Sequence, residues 1–225
     1  MRTQNNHMTT NETLSNTWPA LVDVIIATLM ILLLFIIIQY LSFFLSDALK
    51  RMDIIERQSH LQEMISKMEK DNTSVNKGSI QCTTRGDHQI LRFSSELLFD
   101  KGKAEIDSND YDKFDFLNAL GKLLKKAYYK EHLYDQIYIE GHTDNDQITG
   151  NLQKKFHSNW ELSAFRSLFI TRYLIQNGYL KPELSPKRFL GVAGYGEYNI
   201  LASNETDGGK KINRRIEILL VYSER

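Results

Sequence analysis

The sequence has almost no cysteine and no net charge, and both features narrow the classes of protein to which it can belong. Cys82 is the single cysteine among 225 residues, which excludes an intrachain disulfide framework and a metal site built from several thiolates. It is interpreted as a small apolar residue in a strand, or as a bridge to a second chain. Lysine and arginine together number 28, as do aspartate and glutamate, and no block of basic residues occurs. Nucleic acid is therefore not expected as a partner.

Motifs of enzymes and of metal sites are also missing. The chain has no nucleophile elbow, phosphate-binding loop or zinc-ligand spacing, so we predict no enzyme, no cofactor and no metal. The segment Asp144–Gly150 faintly suggests a calcium loop. An EF-hand loop needs an acid or amide at its fifth position and glycine at its sixth, where this chain has Ile148 and Thr149. His142, just before this segment, is interpreted as a hydrogen-bonded loop histidine.

One long apolar run stands near the N-terminus. Trp18 to Leu45 reads WPALVDVIIATLMILLLFIIIQYLSFFL, and about 20 apolar residues suffice to cross a bilayer. The run continues into bulky residues without a basic n-region or a small-residue cleavage site, so a cleaved signal peptide is not favoured. We predict a tail over residues 1–17 and a retained transmembrane helix over residues 18–46.

The flanking charges and one internal acid raise two questions about this helix. Arg2 precedes it, whereas Lys50, Arg51 and Arg57 follow it, so the positive-inside rule alone places the C-terminus in the cytoplasm. Asp23 lies near the start of the run, where a carboxylate costs less than the roughly 2.5–3.5 kcal/mol expected at the bilayer centre. It is either an interfacial acid, favoured by the positive end of the helix dipole, or a functional group.

Residues 47–79 are interpreted as a helical linker. Ile54, Leu61 and Met68 are spaced seven apart, with Met64 at the intermediate position, but this stripe lasts only about two heptads. A solvated amphipathic helix and a contact between two copies of the chain both remain open. Thr73–Ser79 is a run of turn-forming residues.

Residues 80–225 have the pattern of a compact α+β domain. The apolar segments IQCTT, QILRF, QIYIEG, FLGVAGYG and RRIEILLVY predict strands. Two amphipathic helices lie between them, and the second starts at a capping box formed by Ser158 and Glu161 and stops at Gly178. The alternation predicts a mixed sheet with helices on one face.

Five segments of this domain together resemble the OmpA-like peptidoglycan-binding domain. They are Leu97–Ile106, Ile139–Asp144, Asn159–Arg166, Gly194–Glu197 and Asn213–Leu220. The resemblance covers roughly the last 145 residues. The helix sequence SNWELSAFR and the long insert DNDQITGNLQKKFH before it are similar to the MotB branch of that family.

The resemblance implies a binding site for the peptide stem of Gram-negative peptidoglycan, whose diaminopimelate carries carboxylates and an ammonium. Arg166 would grip a carboxylate with its planar fork, and Asp144 would take the ammonium. Asn159 would add an amide contact, and Leu162 would form an apolar floor.

Two further positions match the family, and one alternative stays open. Asp100 and Arg214 correspond to weaker family positions. From the residues alone, Asp144 and Arg166 could instead form a purely structural salt bridge.

The resemblance to MotB also implies a membrane arrangement. Peptidoglycan lies outside the inner membrane, so the C-terminal domain would be periplasmic and the tail cytoplasmic. In MotB-type proteins, a homodimer places two such helices inside a ring of a multi-spanning MotA-like partner, and the aspartate carries protons. Asp23 would be that carrier.

The biological role has three candidates at this stage. The membrane run places only Asp23, Ala27 and Met30 on a face comparable to that of flagellar MotB, a basic tail is missing, and the segment after the helix is short. These features are more similar to the B subunit of the Zorya antiphage defence system, whose ring partner would be ZorA-like. A flagellar stator subunit and a passive peptidoglycan tether without ion transport are the alternatives.

Overall fold

The computed structural model describes residues 17–71, 78–149, 153–184 and 189–223. The chain divides into two units, residues 1–51 and residues 52–225, and each unit is described by itself. Apart from Thr17, the predicted tail lies outside the described residues, as does most of the turn-forming segment Thr73–Ser79.

The first unit consists of the start of a long helix, α1, which spans Thr17–Asp71. Pro19 lies in the first turn of α1, where a missing backbone N–H leaves no helical hydrogen bond unmade. The most apolar 18-residue window of α1 has a mean hydropathy of 3.2. Apart from the half-buried Val22, the side chains of the apolar run are exposed, as is Asp23. Among the described residues, α1 is the one helix with the length and apolar character of a membrane span.

The second unit is built on a five-stranded mixed sheet. Its strands are β1 (Gln81–Arg85), β2 (His88–Ser94), β3 (Gln136–Gly141), β4 (Leu190–Gly194) and β5 (Arg215–Val221). They lie in the order β1-β2-β5-β3-β4. β3 and β4 run parallel, and the other neighbouring pairs are antiparallel. Three of the five strands lie within segments that the sequence predicted, and β1 and β2 extend beyond theirs by one residue and by one residue at each end. The α+β fold class is confirmed.

Helices α2 (Tyr111–Tyr129) and α3 (Asn159–Gln176) cover the apolar face of the sheet. This face is supplied by alternate residues of β2, β3 and β5, and all of them are buried. They are Leu91, Phe93, Ile137, Ile139, Ile216, Ile218 and Leu220. Strict alternation places every second side chain on the same face of a strand, and all of these residues lie within segments that were predicted to be strands. A short helix, α4 (Asp207–Asn213), was not predicted.

The predicted start and stop of α3 are confirmed. The Ser158 hydroxyl accepts a hydrogen bond from the Glu161 backbone N–H. The Glu161 carboxylate accepts one from the His157 backbone N–H at 2.7 Å, one residue earlier than a capping box places it. Gly178, after the helix, has a φ of +67°, a conformation that glycine adopts without steric cost.

The C-terminal part of α1 belongs to the second unit, which differs from the predicted linker. Ile54, Leu61 and Ile65 are buried in the same core as the sheet, and Met64 and Met68 pack against it. The apolar stripe is therefore covered by the chain itself, rather than by solvent or by a second copy.

Polar side chains fix this part of α1 to the sheet. Arg57 is buried and donates hydrogen bonds to the backbone carbonyls of Leu133 at 3.3 Å and Ser223 at 2.6 Å. Gln58 donates to the Gly86 carbonyl at 2.9 Å, and Gln89 of β2 donates to the Gln58 carbonyl at 2.9 Å. These bonds satisfy groups that burial would otherwise leave unpaired.

Cys82 lies in β1, as one of its two interpretations required. It is a half-buried free thiol, and burial raises the pKa of Cys82 to about 11. The thiolate, which is the reactive form, is therefore scarce at neutral pH.

Candidate functional site

A cavity of about 310 Å³ opens at one end of the central strands, where β2 and β3 end and β5 begins. Its lining includes all six residues that the sequence analysis assigned to peptidoglycan. They are Asp100, Asp144, Asn159, Leu162, Arg166 and Arg214. Asp23 is not part of this cavity, since it lies in the first unit. The fold thus brings together residues that are up to 114 positions apart, from 100 to 214.

Helix α3 presents three of these residues on one face. Asn159, Leu162 and Arg166 are spaced three and four residues apart, so their side chains line the same side of the helix. Gly141 of β3 and Gly194 of β4 let α3 approach the sheet closely. A Cβ at Gly141 would come within 2.2 Å of the Ser163 carbonyl oxygen, and a Cβ at Gly194 within 2.4 Å of the Ala164 nitrogen.

Arg166 is almost fully buried, at 4% exposure. Its Nε donates to the Lys103 carbonyl at 2.9 Å, its Nη1 lies 3.5 Å from the Ser95 hydroxyl oxygen, and its guanidinium lies over the Phe99 ring at 5.4 Å. Nη2 makes no hydrogen bond within the described residues. Burial lowers the pKa of Arg166 to about 10, against the attraction of Asp144. The side chain is therefore still charged at neutral pH and has a donor to spare.

Asp144 pairs with Arg214, not with Arg166, in the part of the chain that the structure describes. Arg214 Nη1 contacts Asp144 Oδ2, while its Nη2 and Nε donate to Glu96 Oε1 at 2.7 and 2.9 Å. Asp144 is 5% exposed, and its Oδ1 accepts from the Asp146 N–H at 3.2 Å. The alternative of an Asp144–Arg166 salt bridge is therefore wrong.

Asn159 holds the loop after β3 in place. Its Nδ2 lies within hydrogen-bond distance of the carbonyls of Asp144 at 3.3 Å and Asp146 at 3.0 Å, and of Glu197 Oε2 at 2.8 Å. The amide nitrogen of Asn159 is thus hydrogen-bonded within the protein. The predicted contact with a ligand would be made by the amide oxygen.

The remaining two residues have different surroundings. Leu162 is buried with Ala104 and Phe156 in a small apolar cluster, and it lines the cavity. Asp100 is half exposed at the rim, and its two oxygens each pair with a lysine, Lys103 and Lys113, at 2.8 Å. Hydrogen bonds and charge attraction from these lysines lower the pKa of Asp100 to about 2.

Comparison with known proteins identifies the fold and its branch. The OmpA family profile matches residues 98–214, which is more than half of the chain and contains every predicted pocket residue. This chain belongs to the OmpA family.

Within that family, its relatives include MotB proteins. It is 31% identical to Motility protein B of Bacillus subtilis over 166 residues, which is 74% of this chain and 57% of the relative. It is 30% identical to YtxE of Bacillus subtilis over 181 residues, covering 80% of this chain and 65% of the relative. This chain therefore spans less than two thirds of either relative.

A solved structure agrees with these relatives. A MotB-like protein from Desulfovibrio vulgaris is 29% identical, with a TM-score of 0.62, over 78% of this chain and 99% of that chain. The MotB branch inferred from the motifs is thereby supported.

Several groups that support the OmpA-family pocket were missed by the sequence analysis. Glu96 holds Arg214, and Phe99 and the Lys103 carbonyl support Arg166. Phe99 and Lys103 lie inside a quoted family motif, which was the available signal. Glu96 had none, because its partner is 118 residues away.

His142, two residues before Asp144, has surroundings that the sequence did not predict. The side chain is 0% exposed, and neither ring nitrogen has a hydrogen-bond partner within the described residues. The interpretation as a hydrogen-bonded loop histidine is wrong. Its ring stacks on Tyr195 at 5.1 Å. Burial, and then the charge of Arg215, lower the pKa of His142 to about 4, so the ring is neutral at neutral pH.

Proposed function

We propose that this protein is a MotB-like subunit of a proton-driven membrane motor, anchored to peptidoglycan through its OmpA-family domain. The observation that supports it most is the convergence of six motif residues on one cavity in a fold similar to a MotB-like protein. On this proposal the cavity is a binding site and not an active site, since it offers an arginine and a carboxylate to the opposite charges of a ligand.

The chemistry of the cavity suits a ligand with both a carboxylate and an ammonium. Arg166 offers Nη2 to the carboxylate, which allows a charge-assisted hydrogen bond in a site shielded from water. Asp144 accepts the ammonium and shares its charge with Arg214. Leu162 supports the aliphatic part of the ligand. A volume of about 310 Å³ is within the range of small-ligand pockets and fits one diaminopimelate side chain.

Sedimentation with purified Gram-negative sacculi tests this site on the full chain in mild detergent. Arg166→Ala removes a charge-assisted bond, which contributes about 1.5–3 kcal/mol, so affinity for sacculi should fall at least about tenfold. The matched control is Arg172→Ala, an exposed arginine on the same helix outside the cavity, which should bind like wild type. Equal sedimentation of the Arg166→Ala variant would refute the site.

The proposed location is the bacterial inner membrane, with the N-terminus cytoplasmic and the second unit periplasmic. Peptidoglycan is accessible only from that side. The basic residues after the apolar run oppose this orientation, but Arg57 is engaged by two backbone carbonyls of the second unit, which gives it a structural role. A reporter enzyme active only outside the cytoplasm, fused after Arg225, should be active.

Asp23 is the proposed proton carrier of a homodimer inside a ring of a multi-spanning MotA-like subunit. A carboxylate can be neutral inside protein and charged when water reaches it. Each proton that crosses ~100 mV releases about 2.3 kcal/mol, which can bias a rotation step of the ring. Binding to peptidoglycan would hold the dimer still while the ring turns. A proton is the favoured ion because the sequence offers one carboxylate and no evident sodium-coordinating set around it.

Two biological roles are consistent with this mechanism. The similarity to proteins named Motility protein B favours flagellar motility. The short segment after the membrane run favours a Zorya-type antiphage motor with a ZorA-like partner. Only eight residues, from position 46 to 53, separate Leu45 from Ile54, the first α1 residue buried in the second unit.

Co-purification from native membranes in gentle detergent distinguishes these roles. We expect a multi-spanning partner in excess over this chain, and a long cytoplasmic tail on that partner would identify the defence motor. A partner without that tail, together with a motility defect on deletion, would identify the flagellar role. Recovery of this chain alone would favour a passive tether.

A further inference from the structure

A second group of side chains lies beside the peptidoglycan pocket, beneath the loop that follows β4. It consists of His142, which follows β3, Glu140 on β3 and Glu217 on β5. His142 is completely buried and neither of its ring nitrogens is hydrogen-bonded within the described residues. An unpaired buried polar group destabilises the fold, so this ring has a place for a ligand that satisfies it.

The two carboxylates each direct one unused oxygen toward the ring. His142 Nε2 lies 3.9 Å from Glu140 Oε2 and 3.8 Å from Glu217 Oε2. These distances are too long for hydrogen bonds. The three donor atoms all lie within 4.8 Å of one another, whereas the donors of a tetrahedral Zn²⁺ ion are about 3.4 Å apart. A contraction of about 0.5 Å at the two distances from His142, and of at most about 1.4 Å between the carboxylate oxygens, would bring them to coordinating distance.

The other oxygen of each carboxylate is already held by the protein. Glu217 Oε1 accepts from Arg92 Nε at 2.7 Å and from Arg215 Nε at 2.8 Å. Glu140 Oε1 accepts from the Tyr195 hydroxyl at 3.4 Å. Partners of this kind orient a ligand while leaving its second oxygen free, as outer-shell groups do in metal sites.

The net charge of the group is compatible with a bound cation. Arg92 and Arg215 offset the two carboxylates, and their repulsion lowers the affinity for a cation below that of an isolated Glu–Glu–His set. Neutral imidazole with carboxylate oxygens is nevertheless a donor set typical of zinc and similar ions. Glu140 provides the entry path, because its side chain is 13% exposed.

We propose that His142, Glu140 and Glu217 bind one divalent transition-metal ion of the Zn²⁺ type, with water completing the coordination. The ion cross-links the end of β3 to the start of β5. These are the strand ends that carry Asp144 and Arg214, two and three residues from the ligands. The ion therefore stabilises the strand ends on which the pocket is built. The metal-site proposal does not depend on whether the pocket binds peptidoglycan.

Calorimetric titration of the metal-free full chain with Zn²⁺, in detergent, tests the site. We expect one ion per chain and a higher melting temperature with Zn²⁺, but no such shift with Mg²⁺ at the same concentration. Glu140→Gln keeps the size of this mostly buried side chain and removes a ligand, so the Kd should rise by at least the roughly 10–100-fold seen when only an outer-shell partner is lost. His142→Ala should have a similar effect.

The matched control is His157→Ala, which removes an exposed histidine 3.1 Å from Glu161 and should leave the Kd unchanged. Circular dichroism verifies that each variant is folded, and Glu140→Gln remains decisive if His142→Ala is not. No binding of Zn²⁺, an unchanged Kd in Glu140→Gln, or an equal shift with Mg²⁺ would overturn the proposal.

Discussion

Arg166 carries its charge in an almost fully buried position, and its neighbours explain how this is tolerated. The Lys103 carbonyl, the Ser95 hydroxyl and the face of Phe99 each satisfy part of the guanidinium. The planar group is held in one orientation by these contacts. A guanidinium fixed in this way is prepared for a carboxylate, and little side-chain entropy is lost when one binds.

Arg166→Lys separates the charge of this residue from its shape. Lysine keeps the positive charge, but its compact, strongly hydrated ammonium lacks the planar fork that directs donors toward the Lys103 carbonyl, the Ser95 hydroxyl and a ligand carboxylate. We expect a folded protein with clearly weaker sacculus binding, between wild type and Arg166→Ala. Sedimentation with sacculi measures this, with Arg172→Lys as the control on the same helix. Wild-type binding by the lysine variant would show that the planar fork is not used.

At the scale of elements, the glycine pair at the ends of β3 and β4 decides how close α3 lies to the sheet. Gly141 and Gly194 are partners in the parallel register, and both face backbone atoms of α3. Backbone atoms cannot rotate away as a flexible side chain can. The position of Asn159 and Arg166 in the pocket therefore depends on these two positions having no side chain.

Gly141→Ala tests this dependence. The added Cβ would meet the Ser163 carbonyl oxygen at 2.2 Å, so α3 must shift, and overpacking of this kind costs about 1–3 kcal/mol. We expect a lower free energy of unfolding in urea and weaker sacculus binding. Gly208→Ala is the control, because a Cβ there has nothing within 4 Å. Equal stability of the two variants would contradict the close contact.

The C-terminal part of α1 is a second element whose role rests on packing. Leu61→Ala removes a fully buried side chain, and such truncations cost about 2–5 kcal/mol. Ile55→Ala, at an exposed position of the same helix, should change the stability much less. Thermal unfolding of both variants measures the difference. A small effect of Leu61→Ala would mean that α1 is not an integral part of the second unit.

These elements also show what sequence patterns can and cannot supply. The strands and α3 were predictable because alternation and capping are local signals. The heptad stripe of α1 identified Ile54 and Leu61 as apolar positions, but a stripe does not specify what covers it. In the pocket, motif residues were identified through the family resemblance. The pairing of Arg214 with Glu96 and the isolation of His142 depend on distant segments, and no local pattern encodes them.

At the scale of the whole molecule, the proposed motor role depends on Asp23. Asp23→Asn keeps the size and polarity of the side chain and removes its ability to release a proton. We expect proton flow through vesicles that contain this protein and its ring partner to be abolished, while membrane insertion and co-purification of the partner persist.

Asp47→Asn is the matched control for that experiment. Asp47 lies on the same helix beyond the apolar run and pairs with Arg51 at 2.9 Å, a surface interaction of at most about 1 kcal/mol. Proton flow should survive this change. An Asp23→Asn variant that conducts like wild type would leave the protein as a tether.

Strand β5 connects the two ends at which the second unit would be pulled. It starts beside Arg214 of the pocket and leads to Ser223, whose carbonyl accepts a hydrogen bond from Arg57 of α1. It is flanked on both sides by antiparallel strands, β2 and β3, and ladder hydrogen bonds in such pairs stand perpendicular to the strands. On the proposed anchoring, the wall would pull at Asp144, after the end of β3, and α1 would pull at Ser223, after the end of the antiparallel strand β5. The β3–β5 ladder would then be loaded in shear, so that its hydrogen bonds resist together instead of breaking one after another.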